Sequence, residues 1–189
     1  MDKKEARIFY RQQRMQLTQQ ERTRMDDLIL IQFQTIQLPF LYRLLTYYPM
    51  VQQHEPETEL CSRFLKFQYP ELSVCYPKTD TKAWTMEAVV TTDDSDFETG
   101  DYGLEEPVSG VIAEPQSLDI IFVPMIVMDK NGYRVGFGKG CYDRFLARCR
   151  PDCIKVGFSY FEPIEKIEDR DEFDVPLDFG VTPGNVYVF

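Results

Sequence analysis

The chain has 189 residues, 43% hydrophobic and 28% charged, with 31 acidic against 21 basic side chains and a formal net charge of -10. That length and apolar share predict one domain over residues 1–189 with a real core, and exclude a disordered chain. The acidic balance argues against nucleic acid or anionic membrane as partners, so a phosphate-bearing ligand has to meet a local basic cluster.

The opening "MDKKEARIFYRQQRMQ" has no apolar h-region, and no run approaches the ~18 apolar residues of a membrane span, which points to a cytoplasmic protein. Five cysteines, an odd number without C-x2-C pairs, read as reduced thiols rather than a zinc site. With His54 the only histidine, a multi-histidine metal site is excluded, and a Ser/His/Asp triad would rest on that one residue.

From Lys3 to Leu17, Ala6, Phe9, Tyr10 and Leu17 fall near helical spacing, and Lys3, Arg7, Arg11 and Arg14 recur between them. The result is a helix with one cationic edge, whose plainest explanation is a solvated face. "TQQE", Thr18 to Glu21, is a capping box that starts a second helix running to about Gln37, with Pro39 ending it. "YRLLTYYPM" predicts a strand stopping near Pro49, "TELCSRFLKF" a helix, and "ELSVCYP" and "AWTMEAVV" two more strands. The acidic "TTDDSDFETGDYG" predicts a loop. "LDIIFVP" has the continuous apolar character of a strand buried on both faces, and "CIKVGFSY" predicts another after an intervening helix that reaches about Arg148. Strands alternating with helices imply an α/β fold: a single three-layer domain, Rossmann-like, with a mostly parallel sheet, flanking helices and the site near the carboxyl ends of the strands.

The informative stretch is "RVGFGKGCYDRFL", Arg134 to Leu146. Gly136, Gly138 and Gly140 let the backbone take positive φ and approach a ligand, so that several N–H groups can converge on phosphate oxygens ahead of a helix. Arg134 and Lys139 add formal charge. Asp143 falls in the first helical turn, where it either caps the helix or, beside phosphates, serves a magnesium ion. The glycine spacing matches neither a Walker A loop nor the dinucleotide-binding pattern, so the residues alone describe a phosphate site of unnamed type.

The longer stretch "VPMIVMDKNGYRVGFGKGCYDRFL" closely resembles the signature of the 5-formyltetrahydrofolate cyclo-ligase (methenyltetrahydrofolate synthetase) family, which usually reads like V-P-G-x-x-F-D-x-x-G-x-R-L-G-x-G-x-G-Y-Y-D. "KKEARIFYRQQR", "HEPET", "YGLEEP" and "DVPLDFGVTP" resemble further elements of the family in the same order. The resemblance implies an enzyme that converts 5-formyltetrahydrofolate and ATP, with Mg2+, into 5,10-methenyltetrahydrofolate, ADP and phosphate. It implies small-molecule partners and a monomer. It places ATP contacts at Lys3, Lys4, Glu5, Ala6 and Arg7, and at Arg134, Val135, Gly136, Phe137, Gly138, Lys139, Gly140, Cys141 and Tyr142. Arg134, Lys139 and Tyr142 take the catalytic roles, and Asp143 and Asp178 match metal ligands. Met50 and Glu55 match positions that contact the folate, together with Phe137 through Cys141.

Three positions depart from the family pattern: Cys141 replaces a tyrosine, Met125 a glycine and Met128 an aromatic residue. Cys141, at a helix start near Arg134 and Lys139, is expected to be a reactive thiol or else a small residue filling the vacated space. Other readings of the glycine stretch are a sugar-phosphate isomerase or CoA-transferase-like enzyme, and a non-catalytic folate or nucleotide binder. The amino-terminal cations argue against the first, and the pair Asp143 and Asp178 against the second.

Overall fold

The computed structural model describes residues 1–189. Helix α1 (Lys3–Gln16) opens with a capping box in which Asp2 accepts from the Glu5 N–H and Glu5 reaches back to the Asp2 N–H. Helix α2 (Gln19–Phe33) opens with the same device, built by Thr18 and Glu21 as the sequence predicts. It stops short of Gln37 because the next N–H groups, of Thr35 and Ile36, bond only three residues back, while the Thr35 hydroxyl donates to the Gln32 carbonyl. The last turn tightens, and the chain leaves the helix before Pro39 can block it.

Strand β1 (Arg43–Leu45) is followed by α3 (Glu59–Gln68), β2 (Ser73–Asp80) and β3 (Thr85–Thr91). A hairpin, β4 (Phe97–Thr99) with β5 (Glu105–Pro107), interrupts the acidic segment, and β6 (Val111–Ala113) and β7 (Ile120–Val123) follow. A second hairpin, β8 (Val127–Met128) with β9 (Arg134–Val135), leads to α4 (Cys141–Leu146), β10 (Ile154–Phe158), β11 (Phe179–Val181) and β12 (Val186–Val188). The main sheet has the order β12-β11-β10-β7-β1-β2-β3-β6. The five strands from β11 to β2 are parallel; β12 and β3 run against them, and the edge strand β6 pairs antiparallel with β3.

Period two divides the core. Leu44, Ile120, Phe122, Val156 and Phe158 point to one face, against Ile29 and Phe33 of α2 and Leu65 of α3. Leu45, Ile121 and Val123 point to the other, against Phe145 and Leu146 of α4. Helices on both faces of a mostly parallel sheet give the expected three-layer α/β architecture. Helix α1 packs apart from them, burying Ala6 with Val127, Val135 and Ile167.

The acidic segment is not simply a loop. Its β4–β5 hairpin docks on β2: the Glu106 carboxylate accepts the Thr79 N–H at 3.1 Å, and the Lys78 ammonium donates to the Pro107 and Val108 carbonyls.

Candidate active site

Where β1 and β7 end, the chain opens a cavity of about 780 Å³. Tyr47, Tyr48 and Pro124 line it from the carboxyl ends of these strands, as a parallel sheet dictates. The stretch from Gly136 to Asp143 forms one wall and α1 another. Gly138 (φ 88°) and Gly140 (φ 65°) occupy the left-handed region, which only glycine enters freely, and Gly140 stands at the N-cap of α4.

Arg134, on β9, is nearly buried. It pairs with Asp143 at 2.8 Å and donates to the Val175 carbonyl at 2.5 Å, while the Val175 N–H donates to the same Asp143 oxygen at 3.1 Å. Asp143 therefore does not cap its helix; it ties the glycine stretch to residue 175. Lys139 stands over the Trp84 ring.

The cationic edge of α1 faces inward. Lys3, Lys4, Arg7 and Arg11 all line the cavity, so the solvated-face reading fails. Lys3 pairs with Asp174 at 2.5 Å, and its N–H donates to Asp169. Arg7 Nε donates to the Gly136 carbonyl at 2.9 Å, which lays its guanidinium beside Gly138. Arg11 donates to Gln53 at 2.6 Å. Three of the expected nucleotide contacts have side chains engaged elsewhere. Glu5 is committed to the α1 capping box, while Ala6 and Val135 are fully buried in the small core beneath α1. A period of 3.6 allows one face of α1 to see the cavity, and Glu5 and Ala6 fall outside it, while Val135 points from β9 into the core.

At the opposite end Met50 and Glu55 line the cavity from a turn that follows β1. Glu55 is 6% exposed; its Oε2 accepts the Met50 N–H at 2.7 Å, and its Oε1 has no partner. Burial pushes its carboxyl up to about 7, against the pull of the Met50 N–H and the Arg14 charge. The Tyr142 hydroxyl is also buried without a partner, and burial holds it protonated. The cavity is thus walled by the glycine-rich backbone and cations on one side and, on the other, by residues that bury a carboxylate oxygen and a hydroxyl without partners.

Asp178 does not join Asp143. It precedes β11 at the amino ends of the parallel strands, where its carboxylate accepts the Lys155 N–H at 2.7 Å and pairs with the Lys155 ammonium at 2.8 Å. Asp143, in the first turn of α4, lines the cavity, whereas Asp178 is held before β11 by its bonds to Lys155. Three other carboxylates, Asp169, Asp171 and Asp174, line the cavity instead.

Cys141 also departs from expectation. It lies half-buried against the α4 core, and burial pushes its thiol up to about 11, more than Arg144 can offset. Burial at this position favours the packing reading over the reactive thiol. Among lining residues not anticipated from the sequence, Arg11 continues the i, i+4 series of Lys3 and Arg7 and was open to detection. Trp84 carries no such signal, because the β2–β3 turn brings it in from afar, whereas Tyr102 and Glu106 lie in the "YGLEEP" element that resembles the family.

The family model for the 5-formyltetrahydrofolate cyclo-ligase family matches residues 1–183. The chain belongs to that family. Among the cyclo-ligases, one from Mycoplasma pneumoniae is 29% identical over 184 residues, covering 94% of this chain and 96% of the relative. The mouse cyclo-ligase is 29% identical over 140 residues, or 67% of this chain and 66% of its own. The solved structure of 5,10-methenyltetrahydrofolate synthetase from Aquifex aeolicus superposes with a TM-score of 0.80 at 31% identity, covering all of this chain and 93% of that one.

Proposed function

We propose that this chain is a 5-formyltetrahydrofolate cyclo-ligase that uses ATP to close 5-formyltetrahydrofolate to 5,10-methenyltetrahydrofolate, releasing ADP and phosphate. The observation that carries the reading, beyond family membership, is a single cavity with a phosphate-suited end and a hydrogen-bonding end.

The Gly136–Gly140 backbone, Lys3, Arg7, Arg134 and Lys139 bind the triphosphate and offset its charge. Glu55 accepts N–H groups of the pterin, with Met50 against the ring. The formyl oxygen attacks the γ-phosphorus, the bond to the β-phosphate oxygen breaks, and ADP leaves. N10 then attacks the formyl carbon, loses its proton, and expels phosphate to leave the methenyl bridge. The task of the protein is to align these groups and spread charge. Tyr142, held as a neutral hydroxyl, donates a hydrogen bond at the formyl end.

A magnesium ion brought with ATP fits this site. Arg134 and Val175 engage the same Asp143 oxygen, Oδ1, which leaves Oδ2 for a ligand. No cage of three or more ligating side chains gathers in the chain, and magnesium held through one or two carboxylates, phosphates and water needs none. The ion would neutralise phosphate charge.

We take the chain to act as a monomer on small molecules, and its net charge of -10 disfavours nucleic acid or anionic membrane as partners. No helix is long and apolar enough to cross a membrane, and we place the enzyme in the cytoplasm. The test is absorbance at the methenyl chromophore after mixing protein, MgATP and 5-formyltetrahydrofolate. Product should form only with nucleotide and metal together, and Asp143→Asn should cut turnover by roughly tenfold or more, the loss of one charge-stabilising contact. No product from the parent protein sinks the reading; full activity in a folded Asp143→Asn removes that residue from the metal site.

A further inference from the structure

The segment 168–175 joins the two walls of the cavity. On the α1 side, the Glu168 N–H donates to the Met1 carbonyl at 3.2 Å and the Lys3 N–H to Asp169 at 2.7 Å. The Lys3 ammonium donates to both oxygens of Asp174, at 2.8 and 2.5 Å. On the glycine side the very next residue, Val175, accepts from Arg134 at 2.5 Å and donates to Asp143 at 3.1 Å. Two consecutive residues thus hold Lys3 on one hand and the Arg134–Asp143 pair on the other.

Asp174 is itself fixed. Its Oδ2 accepts the Asp171 N–H at 2.9 Å, its own N–H donates to the Asp171 carbonyl, and Asp171 Oδ1 accepts the Phe173 N–H at 2.8 Å. The side chains of Lys3 and Asp174 are only 20% and 16% exposed, so the pair is not a solvated surface bridge of negligible effect. An ammonium has three donors, and with two on Asp174 one is left for the cavity. A lysine stem is flexible, and fixing it before a ligand arrives removes that ordering cost from binding.

We propose that Asp174 is a positioning residue for the nucleotide, holding the Lys3 ammonium in fixed register with Arg134 and the glycine-rich backbone so that the phosphates meet cations of both walls at once. The proposal rests on the nucleotide reading of the cavity. Asp174 acts through Lys3 and not on the phosphates themselves.

The experiment measures kcat and the KM values for ATP and 5-formyltetrahydrofolate, at saturating magnesium, in the parent, Lys3→Met, Asp174→Asn, Asp174→Glu and the double variant Lys3→Met/Asp174→Asn. Asp174→Asn should raise the KM for ATP roughly tenfold, with kcat and the folate KM within about twofold of the parent. Because Asp174 works through Lys3, the double variant should be no worse than Lys3→Met alone. Asp174→Glu, which keeps the charge, should recover most of the loss. If Asp174→Asn fails to fold, Asp174→Ser keeps an oxygen for the Asp171 N–H without the charge and carries the same comparison. An unchanged or lowered KM for ATP in a folded neutral variant overturns the proposal. Losses that multiply in the double variant overturn it too, since Asp174 would then serve the nucleotide or its metal independently of Lys3. A parent that forms no methenyl product overturns the nucleotide reading instead.

Discussion

The Lys139 ammonium lies 4.6 Å from the centroid of the Trp84 ring, and Arg144 donates to the Trp84 carbonyl from the same side. An exposed cation–π contact contributes only about 0.5–1 kcal/mol, so a triphosphate can draw Lys139 away from the indole. Trp84 is the only tryptophan in the chain. Addition of MgATP should therefore change its emission, and Lys139→Met should abolish most of the change while leaving the fold intact. Emission indifferent to saturating nucleotide would leave Lys139 on the ring throughout.

Gly138→Ala should weaken nucleotide use without unfolding the protein. At φ 88° an alanine carries about 1–2 kcal/mol of backbone strain. Its Cβ would also stand 3.2 Å from Arg7 Nη2, so the guanidinium has to shift. Loss of one such contact predicts a KM for ATP raised roughly tenfold. Steady-state kinetics with ATP varied checks it, and an unchanged KM would mean that Arg7 tolerates the methyl.

Glu55 should make stability fall as pH rises. Its carboxyl is raised from 4.5 to about 7 by burial, so the folded protein holds a proton there that the unfolded chain gives up. Stability from this group is present below about pH 4.5 and is lost as pH climbs through about 7, a span on the order of 3 kcal/mol. Glu55→Gln removes the dependence. The difference in melting temperature between Gln variant and parent should grow from pH 5 to pH 8, and a difference constant across that range contradicts the burial argument.

Among the cysteines, Cys149 should react first. A hydrogen bond from the Cys153 thiol lowers it, with Lys155, Arg148 and Arg150 adding positive charge, whereas burial raises Cys141. Limited iodoacetamide treatment followed by peptide mapping should label Cys149 ahead of Cys141. The reverse order would return Cys141 to the reactive state that its position at a helix start suggested.

What the sequence disclosed follows from the range over which each signal acts. The Thr18–Glu21 capping box, the buried "LDIIFVP" strand and the Gly136–Gly140 loop are local patterns, and each sits where it was expected. Strands β11 and β12 are three residues each, too short to establish a period, and β4 was hidden among aspartates. Asp178 was misplaced for a different reason. Spacing along the chain does not reveal which end of a parallel strand a residue occupies, and only the pairing with β10 settles it. Arg14 looked like one more exposed cation, but it is buried and donates to the Met125 carbonyl, 111 positions away in sequence.

The bond between Lys3 and Asp174 joins residues 171 positions apart, and the Lys3 N–H spans nearly as far to Asp169. Contacts of such separation form after loop closure over almost the entire chain, the slowest kind of event in folding. On the ribosome, α1 is the first element made, yet the residues that fasten it over the cavity emerge among the last. The core between α2, α3 and the early strands can condense while α1 still lacks these late partners, so the cationic wall of the site is added to a body that is already built. A truncation that removes the segment carrying Asp169 and Asp174 would therefore cost the cavity its closure before it cost the sheet its core.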